Sequence, residues 1–359
     1  MTTATALVTA NTPCAELAEE AVAEALNKAG LTQAQAILLF LTPEFSRHAQ
    51  TAVTAAARRG RCLQVAGGIA NGVLTEQGWT LDRPAAAALV LGDGCTLTPC
   101  EQAETPMLSL ASAMPSITWL AAAPRFGALF DNSFSANATA SSLWQQGRLS
   151  AVPHCSLQLS SSKIDIGIST GLKPLGEAQR IGKSAGFELE ILGDQPAARS
   201  LVRALPAEMR AAPRRHVHHL SALLFDAPPQ AGVTGRTVAI IDITHSDAVT
   251  LGERIQPGQY LTWAIRQPLA TEADMRDSVS RLAVTQPSFA LMFSCIGRGP
   301  FFYGGEDRDL MILHERFPDL PILGAYGNGQ LAPCVSAGKN STQTLHNAVV
   351  TALIGQRTD

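Results

Sequence analysis

Two stretches of the chain repeat one another and decide the fold: LQVAGGIANGVL at residues 63–74 and LPILGAYGNGQL at residues 320–331. They align without a gap, and both pass from an apolar run through glycine to an Asn-Gly pair. A further apolar run precedes each stretch, at 37–42 and at 290–295, and the connecting segment is four residues longer in the second copy. A repeated strand-helix-strand unit predicts an α/β protein with mixed sheets and two related domains.

The Asn-Gly pairs, at 71–72 and 328–329, have a direct conformational meaning. Asn and Gly both tolerate positive φ, so the pair favours a type I′ turn that matches the twist of a hairpin. A hairpin turn is therefore expected at both places. The second pair stands beside other polar residues and is the better candidate for function.

Apolar periodicity and turn residues place the remaining elements. Pro13 and Gly30 bound an N-terminal amphipathic helix, and residues 101–150 are expected to mix helix with irregular segments. The other predicted helices cover residues 44–58, 272–282, 307–317 and 341–354, and the clearest predicted strands cover 36–41, 62–68, 85–91, 220–225, 238–243 and 289–295. The Ala-Pro-Arg-Arg stretch at 212–215 indicates a boundary between a domain at 1–210 and a domain at 211–359.

Composition narrows the class of protein. The 359 residues include 27 basic and 30 acidic side chains, without the basic surplus of a nucleic-acid binder. The apolar run 85–91 is too short to span a membrane, and the N-terminal residues lack a signal-peptide pattern. Seven scattered cysteines without a CxxC pair are typical of reduced thiols, so a cytoplasmic location is expected. The glycine runs match neither a dinucleotide fingerprint nor a P-loop, and neither a cofactor nor a metal is predicted.

The segment from 289 to 333 carries the most specific pattern. FSCIGRG at 293–299, FPDLPILG at 317–324 and YGNG at 326–329 resemble the C-terminal FIST domain. The first half resembles the partner N-terminal FIST domain, most clearly where a Gly-x-x-Pro-x-Gly turn at 171–176 precedes LGDQPA at 192–197. Together the resemblance covers nearly the whole chain.

The resemblance implies a bacterial sensory protein that binds small ligands such as amino acids and acts in signal transduction. It implies a stand-alone pair of FIST domains with a ligand at the interface between them and a signalling partner of unknown identity. It also implies an acidic residue after the Gly-x-Gly turn, where this chain has Gln330. If that acid holds a ligand amine, the glutamine weakens or alters the site.

The expected ligand-binding residues converge from the glycine loop and the second Asn-Gly pair. Arg298 would hold an anionic group, backbone N–H groups of the flanking glycines would hold oxygens, and polar side chains would hold the polar ends of the ligand. The full set is Cys295, Gly297, Arg298, Gly299, Tyr326, Asn328 and Gln330. For Cys295, Arg298 and Tyr326, burial in the core or a surface salt bridge is the competing interpretation.

An enzyme that uses Cys295 as nucleophile is the alternative function. A nearby guanidinium and the N–H groups of a glycine loop can activate a thiol. A nucleophile also needs a base and an orienting group. The nearest histidine in sequence, His314, falls on a predicted helix, so the sequence offers no coherent triad, and a catalytic set is not predicted.

Overall fold

The computed structural model describes residues 2–92, 94–130, 142–160, 162–229, 235–244, 246–336 and 339–356. The chain forms two compact units: unit 1 is Met1–Thr170 with Met275–Asp359, and unit 2 is Gly171–Asp274. The helices are α1 (Ala15–Ala29), α2 (Ala49–Gly60), α3 (Ile117–Ala121), α4 (Ala197–Ala204), α5 (Pro268–Ser280) and α6 (Arg308–Arg316), with short 3-10 segments at Pro43–Arg47, Ala207–Met209, Pro213–His219 and Ile296–Arg298. The strands are β1 (Thr3–Thr9), β2 (Ala36–Leu41), β3 (Val65–Ile69), β4 (Gly72–Thr75), β5 (Gly78–Thr80), β6 (Ala85–Leu91), β7 (Leu97–Pro99), β8 (Met107–Ala111), β9 (Arg125–Leu129), β10 (Leu143–Gln145), β11 (Arg148–Leu149), β12 (His154–Leu159), β13 (Ser162–Ser169), β14 (Leu172–Pro174), β15 (Gln179–Ala185), β16 (Glu188–Leu192), β17 (Gln195–Pro196), β18 (Leu220–Phe225), β19 (Arg236–Ile243), β20 (Val249–Leu251), β21 (Tyr260–Arg266), β22 (Pro287–Cys295), β23 (Ile322–Gly327), β24 (Gly329–Ser336), β25 (Lys339–Leu345) and β26 (Val349–Gln356).

Unit 1 contains the predicted duplication. Sheet A has the strand order β1-β6-β2-β3-β10-β11, and sheet B has the order β13-β26-β22-β23-β4-β5. The first four strands of each sheet correspond: two antiparallel pairs are followed by a parallel pair, β2 with β3 or β22 with β23. We call β1 to β6 copy 1, and β13 together with α5 to β26 copy 2. The mixed α/β class and the internal duplication are thus confirmed.

The two copies also agree in register. Ile37 lies opposite Val65 in copy 1, and Ala290 lies opposite Ile322 in copy 2. The sequence repeat pairs the same residues: Ile37 with Ala290 in the preceding apolar run, and Val65 with Ile322 in the gapless stretch. Equivalent positions can therefore be compared one by one.

The predicted hairpin turns at the Asn-Gly pairs are wrong. Neither pair has positive φ. The chain instead changes sheets there: β3 belongs to sheet A and β4 to sheet B, while β23 belongs to sheet B and β24 to a third sheet, sheet C, of order β25-β24-β9-β8-β12-β7. Glycine is needed at 72 for close approach, because a Cβ there would lie 2.6 Å from the carbonyl oxygen of Thr80.

The structure also differs from two other predictions. The predicted helix at 341–354 is wrong, since this segment forms β25 and β26. Residues 349–354 are buried between β13 and β22, and four of the six are β-branched (Val349, Val350, Thr351 and Ile354), which favours a strand over a helix. Residues 101–150 contain the strands β8 and β9 besides the short α3; residues 131–141 of that segment lie outside the described residues.

Helices cover one face of each duplicated sheet. The apolar faces of α1 and α2 pack on sheet A, and α1 ends at Gly30, whose φ of 66° reverses the chain. The buried residues of α5 and α6 pack on sheet B. The opposite faces of sheets A and B share one core with sheet C.

Unit 2 is built on an eight-stranded sheet of order β14-β21-β15-β16-β20-β19-β18, with β17 beside β16. An additional pairing of β21 with β18 closes this sheet on itself. The boundary predicted between residues 210 and 211 falls inside unit 2, so the compact units divide the chain at other points. Over the described residues, none of the helices has the length and apolar character needed to cross a membrane.

Candidate functional site

The polar residues at the ends of β22 and β23 are divided between the two faces of sheet B. Ser294 lies opposite Tyr326, and Cys295 lies opposite Gly327. Neighbours along a strand point to opposite faces. Ser294 and Tyr326 therefore face the helices, while Cys295 faces the core that is shared with sheets A and C.

A buried ion pair occupies the helix-covered face. Arg298 and Asp309 are both fully buried, and the guanidinium donates to the two carboxylate oxygens at 2.9 and 2.8 Å. Arg298 also donates to the backbone oxygen and the hydroxyl of Ser169, at 2.8 and 2.7 Å. A bidentate pair of this kind fixes the guanidinium in position. The predicted anion clamp thus holds a carboxylate of the protein itself, which favours a positioning role for Arg298.

Asp307 and two tyrosines extend this ion pair. Asp307 is the N-cap of α6 and accepts a hydrogen bond from the backbone N–H of Leu310 at 2.9 Å. The Tyr326 hydroxyl donates to the other Asp307 oxygen, and the Tyr303 hydroxyl donates to Asp309 at 3.0 Å. We call Arg298, Tyr303, Asp307, Asp309 and Tyr326 the carboxylate cluster.

Three members of the carboxylate cluster have a raised pKa: Asp307, Tyr326 and Tyr303. Burial raises the pKa of Asp307 to about 6, and the nearby charge of Asp309 adds to this effect. Burial together with the Asp307 carboxylate raises the pKa of Tyr326 well above its ordinary value. Burial and the charge of Asp309 likewise raise the pKa of Tyr303. Both tyrosines therefore remain hydrogen-bond donors near neutral pH.

A second group of polar residues lies on the other face, around the second Asn-Gly pair. The Cys295 thiol lies 3.9 Å from the backbone oxygen of Asn328 and 4.0 Å from Oδ1 of Asn347. Nδ1 of His346 lies 3.0 Å from the same Asn328 oxygen. Asn347 has a left-handed φ of 56°, a conformation that asparagine adopts more readily than most residues, in the connection between β25 and β26. We call Cys295, Asn328, His346 and Asn347 the thiol–amide cluster.

Gln330 is two residues beyond Asn328, at the start of β24. It lies opposite Ala128 on one side and Leu345 on the other, and it is fully buried. Neither its amide oxygen nor its amide nitrogen has a hydrogen-bond partner in the described part of the chain. An unsatisfied buried polar group costs about 1–3 kcal/mol. Such a group requires an explanation.

The structure brings only some of the predicted site residues together. Cys295 and Asn328 meet in the thiol–amide cluster, whereas Arg298 and Tyr326 belong to the carboxylate cluster. Gly297 is exposed, and buried Gly299 passes so close to Tyr326 that a Cβ would lie 3.0 Å from the ring. The structure adds residues that the sequence did not single out: Ser169, Tyr303, Asp307, Asp309, His346 and Asn347. The sequence marks Asp307 only as a helix cap, and nothing in it indicates the second contact, with Tyr326.

The comparisons with known proteins point to one family. Residues 197–333 match the model of the FIST C domain. The uncharacterized protein Mb0898c of Mycobacterium bovis is 26% identical over 187 residues, which is 48% of this chain and 46% of that protein. The uncharacterized protein Rv0628c of Mycobacterium tuberculosis is 25% identical over 187 residues, 48% of this chain and 47% of that protein. The chain spans about half the length of the curated relatives it matches.

Proposed function

We propose that this chain, which belongs to the FIST family through its FIST C domain, binds a small polar ligand beside Gln330 and the thiol–amide cluster. A FIST C domain suggests a role in sensing and signal transduction. The observation that carries the proposal is the buried Gln330 amide with neither polar atom paired within the described residues. A ligand that donates to the amide oxygen and accepts from the amide nitrogen removes this cost on binding. Binding and folding stability are then linked.

The polar groups around Gln330 indicate the chemistry of the ligand. Gln330 is neutral and offers one acceptor and two donor hydrogens, unlike the acidic residue that the family resemblance implies. The site therefore suits a compact molecule with both donors and acceptors, such as an amino acid held through its carboxylate or a side-chain amide. The Cys295 thiol and Asn328 supply the neighbouring surface. Ligand binding shifts the populations of the protein's conformations, and a partner protein binds one of these conformations preferentially.

A thermal-shift screen of amino acids and their amides tests this proposal. At least one compound raises the melting temperature of the natural chain. Gln330→Leu raises the melting temperature of the unliganded protein, because it removes an unsatisfied amide worth about 1–3 kcal/mol, and it abolishes the response to that compound. Gln77→Leu, at an exposed glutamine of the same unit, is the matched control and keeps the response. The proposal fails if the whole screen leaves the melting temperature unchanged, or if Gln330→Leu responds like the natural chain.

A cysteine-dependent enzyme is the second candidate function, and one observation favours it. Cys295 and His346, which are far apart in sequence, both contact the backbone oxygen of Asn328. A backbone oxygen only accepts, so Nδ1 of His346 carries the hydrogen in its contact with Asn328. Nε2 of the neutral ring is then the atom that would take the thiol proton while the sulfur attacks an electrophilic carbon. Alkylation by iodoacetamide follows this course: the S–C bond forms, iodide leaves and the imidazole holds the proton.

Mass spectrometry of a timed iodoacetamide reaction separates the two candidates. The enzyme hypothesis expects Cys295 to be alkylated at least tenfold faster than the other six thiols, and it expects His346→Ala to remove that advantage. If Cys295 reacts no faster than buried Cys155, the enzyme hypothesis fails and the binding proposal is untouched.

A further inference from the structure

Unit 2 contains a cavity of about 360 Å³ beside α4. Its lining residues are Ala198, Arg199, Val202, Arg203, Arg210, Ile243, Thr244 and Asp247. The volume lies in the range of small-molecule sites, about 300–1,000 Å³. All eight residues fall within the region that matches the FIST C domain.

The wall of the cavity is strongly basic. Three guanidinium groups face one carboxylate: Arg199 pairs with Asp247 at 3.1 Å. Arg210 donates to the backbone oxygens of Leu205 and Arg203 at 2.8 and 3.3 Å, which holds its guanidinium at the end of α4. The Arg203 guanidinium forms no ion pair within the described part of the chain. The cavity therefore carries an excess of positive charge.

The remainder of the lining is largely apolar. Ala198 and Ile243 are buried, and Val202 is half-buried. Capping the end of α4 accounts for Arg210, since basic side chains stabilise the last carbonyl groups of a helix. It does not account for Arg199 and Arg203 beside an apolar concavity. Planar guanidinium groups with excess charge are suited to carboxylate and phosphate oxygens.

We propose that this cavity binds a small organic anion whose carboxylate or phosphate contacts Arg203 and Arg199 and whose short apolar body covers Val202 and Ile243. The site is separate from Gln330, so it can be present whether or not a ligand binds there. Because it lies inside the FIST C region, it gives the same protein a second small molecule to which it can respond.

Isothermal titration calorimetry with three small probes and an acidic peptide tests the proposal. Hexanoate carries both an anion and an apolar chain, inorganic phosphate carries only charge, and hexanol carries only the chain. Hexanoate binds at least tenfold more tightly than hexanol and more tightly than phosphate, and its affinity falls between 50 and 200 mM salt, because charge contacts are screened. Binding of phosphate alone indicates an unspecific basic surface and overturns the proposal. So does binding of an acidic peptide without hexanoate, which identifies a protein-docking surface.

Two variants assign the contacts. Arg203→Gln weakens hexanoate binding by about tenfold or more, as expected for loss of a charge-assisted hydrogen bond. Val202→Ser weakens hexanoate binding and leaves phosphate binding unchanged. Arg254→Gln, at another arginine of unit 2, which lies over the Phe187 ring, is the matched control and keeps the natural affinity. Circular dichroism confirms that each variant is folded; equal affinities for Arg203→Gln and the natural chain refute the site.

Discussion

The two copies share a backbone plan but differ in what they bury at the carboxyl end of their parallel strands. In copy 1, Leu41 and Ile69 face the helices, and Phe45 covers them. In copy 2 the equivalent positions are Ser294, Tyr326 and Arg298, all fully buried. An apolar core in one copy is thus replaced by polar and charged groups in the other.

The difference indicates a constraint on copy 2 beyond folding. Buried ion pairs are often no more stabilising than apolar residues of similar volume, so copy 1 already provides a sufficient solution for the fold. The four additional residues of the copy 2 connection belong to the segment that supplies Tyr303 and Asp307. The carboxylate cluster holds this segment against the end of β23, directly before Asn328 and Gln330. Carboxyl ends of parallel strands are also where α/β proteins commonly bind ligands.

Replacing Arg298 is expected to have the largest effect on stability. Arg298→Met leaves the buried Asp309 carboxylate without its cation and lowers the free energy of unfolding by about 3–5 kcal/mol. Phe45→Met, the equivalent position in copy 1, exchanges one apolar side chain for another and costs less than about 1.5 kcal/mol. Urea unfolding at pH 7 measures both.

A double variant distinguishes an unpaired charge from loss of packing. Arg298→Met combined with Asp309→Leu removes both charges and recovers most of the lost stability, as found for buried pairs replaced by apolar residues. If Arg298→Met costs no more than Phe45→Met, the two copies are energetically equivalent and the proposed constraint on copy 2 is absent.

Asp307 is expected to make stability depend on pH. Its folded-state pKa of about 6 is above the ordinary value of 3.8, so the folded protein holds a proton that the unfolded chain releases. The resulting stabilisation is complete below pH 3.8 and is lost as the pH rises through about 6. A shift of this size corresponds to about 1–3 kcal/mol. Asp307→Asn, which can still cap α6, removes this part of the pH dependence.

Urea midpoints between pH 4 and 7.5 provide the measurement. Asp319→Asn, at an exposed aspartate in the same copy, is the control and keeps the natural slope. Identical slopes for Asp307→Asn and the natural chain would show that Asp307 is already ionised throughout this range. The carboxylate cluster would then hold no extra proton.

The sequence predicted the repeated unit because apolar runs and glycines act locally, and each copy carries them in the same order. The strands 36–41, 85–91 and 220–225 have the predicted bounds. The change of sheet at Asn71 could not be predicted, since it depends on which distant strand each segment joins. The same holds for the contact of Ser169 with Arg298 and for the contacts that His346 and Cys295 both make with the backbone oxygen of Asn328. Buried Gln330 resembles any polar strand residue in sequence, and only the fold shows that its amide has no hydrogen-bond partner among the described residues.

The smallest expected effect is at the contact between the copies, where Nδ2 of Asn71 donates to Oδ1 of Asn328 at 3.1 Å. A double-mutant cycle with Asn71→Ala and Asn328→Ala is expected to give a coupling free energy of about 0.5–1.5 kcal/mol, the net value of one hydrogen bond. The same cycle with Asn71→Ala and exposed Asn340→Ala is expected to give no coupling. Because Asn328 also contacts the thiol and the histidine through its backbone oxygen, loss of the side-chain bond is expected to loosen the thiol–amide cluster. Faster alkylation of Cys295 in Asn71→Ala than in Asn340→Ala would support this link. Equal alkylation rates, together with no coupling in the double-mutant cycle, would show that each copy holds its own Asn-Gly pair independently.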